Sequence, residues 1–282
     1  MAMSSRSLSC LGPHGFHRVA YMEWAGPPNA ATVLCVHGLT RNGRDFDAIA
    51  EVLSRDFRVV CPDVAGRGKS DWLGFHEDYN YGVYLSDMAQ LIARLDVPEV
   101  LWLGTSMGGL IGIMMAGLSH TPVKRLVVND IGPLIAKEGL ARIAGYVGQD
   151  PSFRDLAAVE TYLREVAASF GTLSDAQWRE MAVYMSRVRR DGTLGLAYDP
   201  GIGNAFRNAP GQDMDLWPQW ERVVCPTLVL RGAESDLLRA ADARAMTVRG
   251  PRAALVEFAG VGHAPALMAA DQIAAVRGFL LG

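Results

Sequence analysis

Val100-Leu-Trp-Leu-Gly104-Thr-Ser106-Met-Gly108-Gly-Leu-Ile-Gly-Ile-Met-Met-Ala-Gly-Leu118 decides how this chain reads. Val100–Leu103 is apolar without alternation, as in a strand covered on both faces. Met107–Leu118 is long and apolar enough for a buried helix, and too short to cross a bilayer. Between them lies G-x-S-x-G. Those five letters say little alone, because small residues are common. Between a strand and a helix they describe a sharp turn that strains the serine backbone and lifts its hydroxyl to the sheet edge, at the positive end of the helix. Such a turn needs small neighbours, and Gly104 and Gly108 supply them. Ser106 is the candidate nucleophile.

The same strand–helix rhythm extends to both sides. Thr32–Val36, Phe57–Cys61, Lys124–Asn129, Thr227–Leu230 and Ala254–Phe258 read as strands, and His17–Trp24 as an antiparallel one. Helical patterns lie between: Phe46–Leu53, Leu85–Leu95, Ala240–Val248 and Asp271–Leu280. Continuous apolar strands alternating with helices predict an α/β fold built on a doubly wound, mostly parallel sheet. One segment breaks the rhythm. Between Leu134 and Trp220 no strand is expected. Ser174-Asp-Ala-Gln177 is a capping box, and Trp178, Met181, Ala182, Met185 and Val188 mark one helical face after it. Arg154–Phe170 is a second helix, and Gly192–Gln212 reads as loop. We therefore divide the chain into a core, residues 1–133 and 221–282, and a helical cap, residues 134–220.

A serine hydroxyl needs an adjacent base. Of six histidines, only His120 and His263 follow Ser106, as the order nucleophile, acid, histidine requires on such a sheet. His120 lies at the far end of the same helix, roughly 21 Å away at 1.5 Å per residue. His263, in Gly260-Val-Gly-His-Ala-Pro265, follows the last strand at the edge where the serine turn opens, and is the expected base. A carboxylate must hold its tautomer. Asp236, past the strand Thr227–Leu230, is the favoured acid; Asp130, past Lys124–Asn129, is the alternative, and Glu234 a third choice. The oxyanion of the intermediate should meet the backbone amides of Met107 and of Leu39, in the loop His37-Gly-Leu-Thr-Arg41. His37 itself is assigned a structural role.

Composition excludes other classes. Net charge is −3 with no run of five like charges, so neither nucleic acid nor an anionic membrane surface is expected as partner. The N-terminus lacks a signal-peptide core. Cys10, Cys35, Cys61 and Cys225 form no C-x-x-C pair, which reads as reduced thiols in a cytoplasmic protein. Gly66-Arg-Gly68-Lys-Ser70 is not a phosphate loop, because Asp63 stands where the first glycine belongs, and Asp71 breaks a dinucleotide fingerprint. No metal-ligand spacing occurs, so neither metal nor cofactor is expected.

Taken together, His37-Gly38, Gly104–Gly109, the D-x-x-G-x-G-x-S stretch Asp63–Ser70, and the contexts of Asp236 and Gly262-His263 resemble the α/β-hydrolase superfamily over nearly the whole chain. The resemblance implies an eight-stranded sheet with a lid after the sixth strand. The S-M-G-G elbow is similar to that of carboxylesterases, enol-lactonases, C–C bond hydrolases and cofactor-free haloperoxidases. Family members with an aspartate nucleophile do not match Ser106. Carboxylic-ester hydrolysis through an acyl-enzyme is the first reading, on short- to medium-chain or aryl esters, with polyester fragments as a further candidate substrate. The apolar pocket is expected from Met181 and Met185 with Trp178, Trp217 and Trp220. A lactonase or C–C bond hydrolase on the same triad is the second reading. A ligand-binding receptor, the rival from another class, often lacks part of the triad that this chain carries. Composition leaves the oligomeric state open.

Overall fold

All five residues of Thr32–Val36 are buried, and as β3 they sit inside an eight-stranded sheet. The structure, a computed structural model, describes residues 3–207 and 211–282. The sheet runs β1 (Met3–Gly12), β2 (Gly15–Trp24), β4 (Arg58–Pro62), β3, β5 (Val100–Thr105), β6 (Val123–Asn129), β11 (Thr227–Gly232) and β12 (Ala254–Phe258). β2 is antiparallel to β1 and to β4, and every pairing from β4 to β12 is parallel. β1 was not expected from the sequence. Most of its side chains are exposed or half-buried and only Cys10 is buried, so it carries no apolar period; it is an edge strand held by its hairpin to β2.

Strand alternation divides the core in two. Leu34 and Val36 of β3, Val100 and Trp102 of β5, and Val229 of β11 join one apolar cluster with α2 (Tyr81–Leu95), α3 (Met107–Ala116) and α9 (Ala240–Met246). Val33, Cys35, Leu103, Leu228 and Leu230 join the other, with α1 (Asp47–Leu53) and α10 (Ala270–Leu281). Successive strand residues face opposite sides, so helices on both faces require the unbroken apolar runs seen in the sequence. All four cysteines are buried and free.

The segment between β6 and β11 is mainly helical: α4 (Lys137–Ala144), α5 (Leu156–Val166), α6 (Asp175–Tyr184), α7 (Asn204–Arg207) and α8 (Trp217–Trp220). The Ser174–Gln177 capping box opens α6 in full. Strands occur here too, contrary to expectation. β7 (Leu134–Ile135) pairs with β10 (Met214–Asp215), and β8 (Ser186–Val188) with β9 (Leu194–Leu196). They are two or three residues long, too short to show a period. β9 and α7 interrupt the expected loop at 192–212, of which residues 208–210 lie outside the described residues. The apolar face of α6 also ends early: Met185 caps the helix, and Val188 is an exposed residue of β8.

Candidate active site

The turn between β5 and α3 has the strained form the sequence demands. Ser106 sits at φ 51°, ψ −115°, a conformation that costs a non-glycine residue about 1–3 kcal/mol. Its amide is held by the Asn129 carbonyl at 2.9 Å, and its own carbonyl accepts from Gly109 and Leu110 at 2.8 and 3.0 Å. A methyl group on Gly104 would lie 2.2 Å from the Gly108 carbonyl oxygen, and one on Gly108 would lie 1.9 Å from that of Val36. Both positions therefore exclude any side chain: Gly104 lets β5 and the start of α3 close on each other, and Gly108 lets the turn lie against the end of β3.

His263, in the loop after β12, brings Nε2 to 3.0 Å from Ser106 Oγ. Two residues on, the Pro265 carbonyl accepts from Asn129 Nδ2 at 2.9 Å, which ties that loop to the end of β6. The far nitrogen of the imidazole, Nδ1, lies 2.8 Å from Asp130 Oδ2. Asp130 is fully buried at the end of β6. Its Oδ1 accepts the Gly232 amide at 2.8 Å and its Oδ2 the Ser235 hydroxyl at 2.5 Å. With the His263 N–H, three donors compensate the desolvation of this carboxylate.

The favoured acid of the sequence reading is thus corrected. Asp236 does not meet His263. Its side chain is 58% exposed and pairs with Arg142 of α4 at 2.8 Å. Glu234 is exposed as well. The loop after β11 takes part through Gly232 and Ser235, which hold the aspartate of the neighbouring strand. Ser235 was missed because a serine beside two acids has no sequence signal of its own.

The loop after β3 abuts the serine: a methyl on Gly38 would lie 3.7 Å from Ser106 Cβ. His37, fully buried, braces this loop. Its Nε2 accepts the Val64 amide at 2.9 Å, so Nδ1 carries the proton and donates to the Gly38 carbonyl at 2.7 Å. Burial pushes its pKa down to about 3, which keeps the ring neutral. Arg67, also fully buried, donates through Nε to the Leu39 carbonyl at 2.8 Å, and through Nη1 to Ala65 and Tyr84. It lies inside the Asp63–Ser70 stretch, whose spacing marks the turn but not this role. Met107, the first residue of α3, has an amide with no partner inside its helix.

Ser106 and His263 open into a cavity of about 930 Å³, walled by residues of both the sheet edge and the 134–220 segment. Met181 and Met185 line it as expected, together with tyrosines such as Tyr146 and Tyr198. The three tryptophans do not. Trp178 lies beneath the Arg164 guanidinium, Trp217 against that of Arg249, and Trp220 is buried with its indole N–H on the Arg249 carbonyl.

Away from the cavity, Cys10, His17 and Asp87 bring ligand-type atoms within 4.8 Å of one another. The Asp87 carboxylate, 2.9 Å from His17 Nε2, raises the pKa of that imidazole through their hydrogen bond. The pair anchors the β1–β2 hairpin to α2.

The nucleophile turn, the histidine loop and the eight-stranded sheet define a family, and the chain belongs to it: residues 33–276 match the alpha/beta hydrolase family. The chain is 44% identical to the 3-hydroxybutyrate-oligomer hydrolase of Cupriavidus necator, covering 98% of this chain and 97% of that one. It is 28% identical to the 2-(acetamidomethylene)succinate hydrolase of Mesorhizobium japonicum, over 82% and 81% of the two chains. Among solved structures, an alpha/beta hydrolase from Novosphingobium aromaticivorans superposes with a TM-score of 0.89 at 34% identity, over 100% of this chain and 99% of that one.

Proposed function

We propose that this chain hydrolyses short oligoesters of the 3-hydroxybutyrate type, with Ser106 as nucleophile, His263 as base and Asp130 as the orienting acid. The observation that carries the reading is the hydrogen-bonded line from Ser106 Oγ through both His263 nitrogens to Asp130. Asp130 accepts from Nδ1–H, which leaves the Nε2 lone pair to take the serine proton. Ser106 Oγ attacks the ester carbonyl, the backbone amides of Leu39 and Met107 receive the negative oxygen, and the protonated His263 gives its proton to the leaving alcohol. Water then attacks the acyl-enzyme with the same histidine as base. Each proton transfer contributes about 10²–10⁴ in rate, and each amide about 10²–10³.

Residues 134–220 act as the cap over this site, and 1–133 with 221–282 as the core that carries it. The cavity is at the upper end of the size range of small-molecule sites, enough for several ester units in an apolar channel. The name of the Cupriavidus relative, together with its near full-length alignment, supports the oligoester choice. Four buried, unpaired cysteines suit a reducing cytoplasm, and no helix among the described residues is long and apolar enough to cross a membrane.

The test is hydrolysis of 3-hydroxybutyrate dimer and trimer beside p-nitrophenyl butyrate, lactones and vinylogous diketones. Release of 3-hydroxybutyrate that disappears in Ser106→Ala is the expected result. Turnover retained in that variant rejects the mechanism, and a preference for a lactone or diketone over every linear ester rejects the substrate class.

A further inference from the structure

We propose that Ser169 of the cap is a positioning residue for His263, so that the cap's short 168–170 turn sets the catalytic histidine in place as well as covering the substrate; this rests on the triad reading above. Ser169 Oγ donates to the His263 carbonyl at 2.8 Å. In the opposite sense, the Gly262 amide donates to the Ser169 carbonyl at 2.7 Å. The two hydrogen bonds clamp consecutive residues of the histidine loop. The fit is close: a methyl on Gly262 would lie 2.8 Å from Ser169 Cβ. Glycine at 262 is therefore explained by the approach of the cap, not by a turn.

The next residue of the same turn reaches the other flank of the site. The Phe170 ring lies under the Arg41 guanidinium, 5.2 Å from its centre. Asp45 holds that guanidinium at 2.8 and 2.6 Å. The Arg41 amide closes the turn onto the Gly38 carbonyl at 3.1 Å, with Leu39 between them. One cap turn thus touches the loop that carries the base and the loop expected to carry an oxyanion donor. Lifting the cap removes a support from each, so a docked cap and a reactive serine–histidine pair are one state.

A residue that only shapes the pocket would alter KM; one that positions the base alters kcat for every ester, including p-nitrophenyl acetate, which is too small to need the cap. Ser169→Ala is expected to lower kcat on that ester about five- to tenfold, as for one lost hydrogen bond, with KM and melting temperature little changed. An unchanged kcat, or a change confined to KM, overturns the proposal. Gly262→Ala is expected to lose activity by pushing the cap turn away. Gly262→Ala with Ser169→Gly removes the clash and is expected to return to the level of Ser169→Gly alone. Two losses that simply multiply overturn the clamp. Ser106→Ala separates the two readings: if it keeps turnover, the triad fails; if it is inactive while Ser169→Ala is normal, only the positioning role fails.

Discussion

The ends of β6 and β11 offer the same residue in the same setting, and only one uses it on His263. Asp130 follows β6 and Asp236 lies four residues past β11, both at the edge where Ser106 opens. Asp130 takes a left-handed φ of 55°, its amide bonds the Leu230 carbonyl at 2.8 Å, and its carboxylate is buried among three donors. Asp236 is more than half exposed and meets Arg142 of α4. An acid is made by the donors that hold it after burial; sequence position only nominates it.

The comparison breaks most easily at the buried end. Asp130→Asn keeps the shape but loses the charge that holds the Nδ1–H tautomer, and should lower kcat by about 10³- to 10⁴-fold, as measured by initial rates on p-nitrophenyl butyrate. Ser235→Ala removes one of the donors that hold Asp130. A loss of about five- to tenfold in kcat is expected, with no effect on KM.

A third strand end, at His37 after β3, sharpens the contrast through pH. Its pKa in the fold is about 3, against about 6.5 in an unfolded chain. The unfolded state takes up the proton first. The stability that neutral His37 contributes is therefore complete above about pH 6.5 and is lost as pH falls toward 3. Thermal melts should show wild type and His37→Gln converging as pH is lowered through that window.

The smallest effect belongs to the exposed end. Asp236→Asn and Arg142→Ala break a pair whose side chains are 58% and 46% exposed, which is worth about 1 kcal/mol or less. Melting temperature should hardly move, and kcat on a neutral ester should stay within about twofold of wild type.

Much of the sheet was legible because a strand covered on both faces carries an unbroken apolar run, as do Val33–Val36 of β3, Val100–Leu103 of β5, Leu126–Val128 of β6 and Leu228–Leu230 of β11. The nucleophile turn was legible because the strain at Ser106 admits only small residues at 104 and 108. β1 was not, since an edge hairpin exposed along most of its length needs no apolar pattern. Which aspartate meets His263 was not legible because chain order admits Asp130 and Asp236 alike. What separates them is where the backbone of the Asp130 turn aims its carboxylate, and the donors Gly232 and Ser235 bring from another strand. The pocket wall was half legible: Met181 and Met185 face the cavity, while Trp178 and Trp217 stack on arginines and Trp220 is buried away from it.

The most direct measurement is the rate at which a small fluorophosphonate labels Ser106, followed by mass spectrometry of the intact chain and of the peptide carrying residues 104–108. The reagent needs the serine activated by His263 and makes no demand on ester chemistry downstream. Wild type and Asp236→Asn are expected to label at equal rates, at Ser106 alone, and Asp130→Asn far more slowly. Fast labelling in Asp130→Asn with slow labelling in Asp236→Asn, or an adduct on another residue, would contradict the assignment.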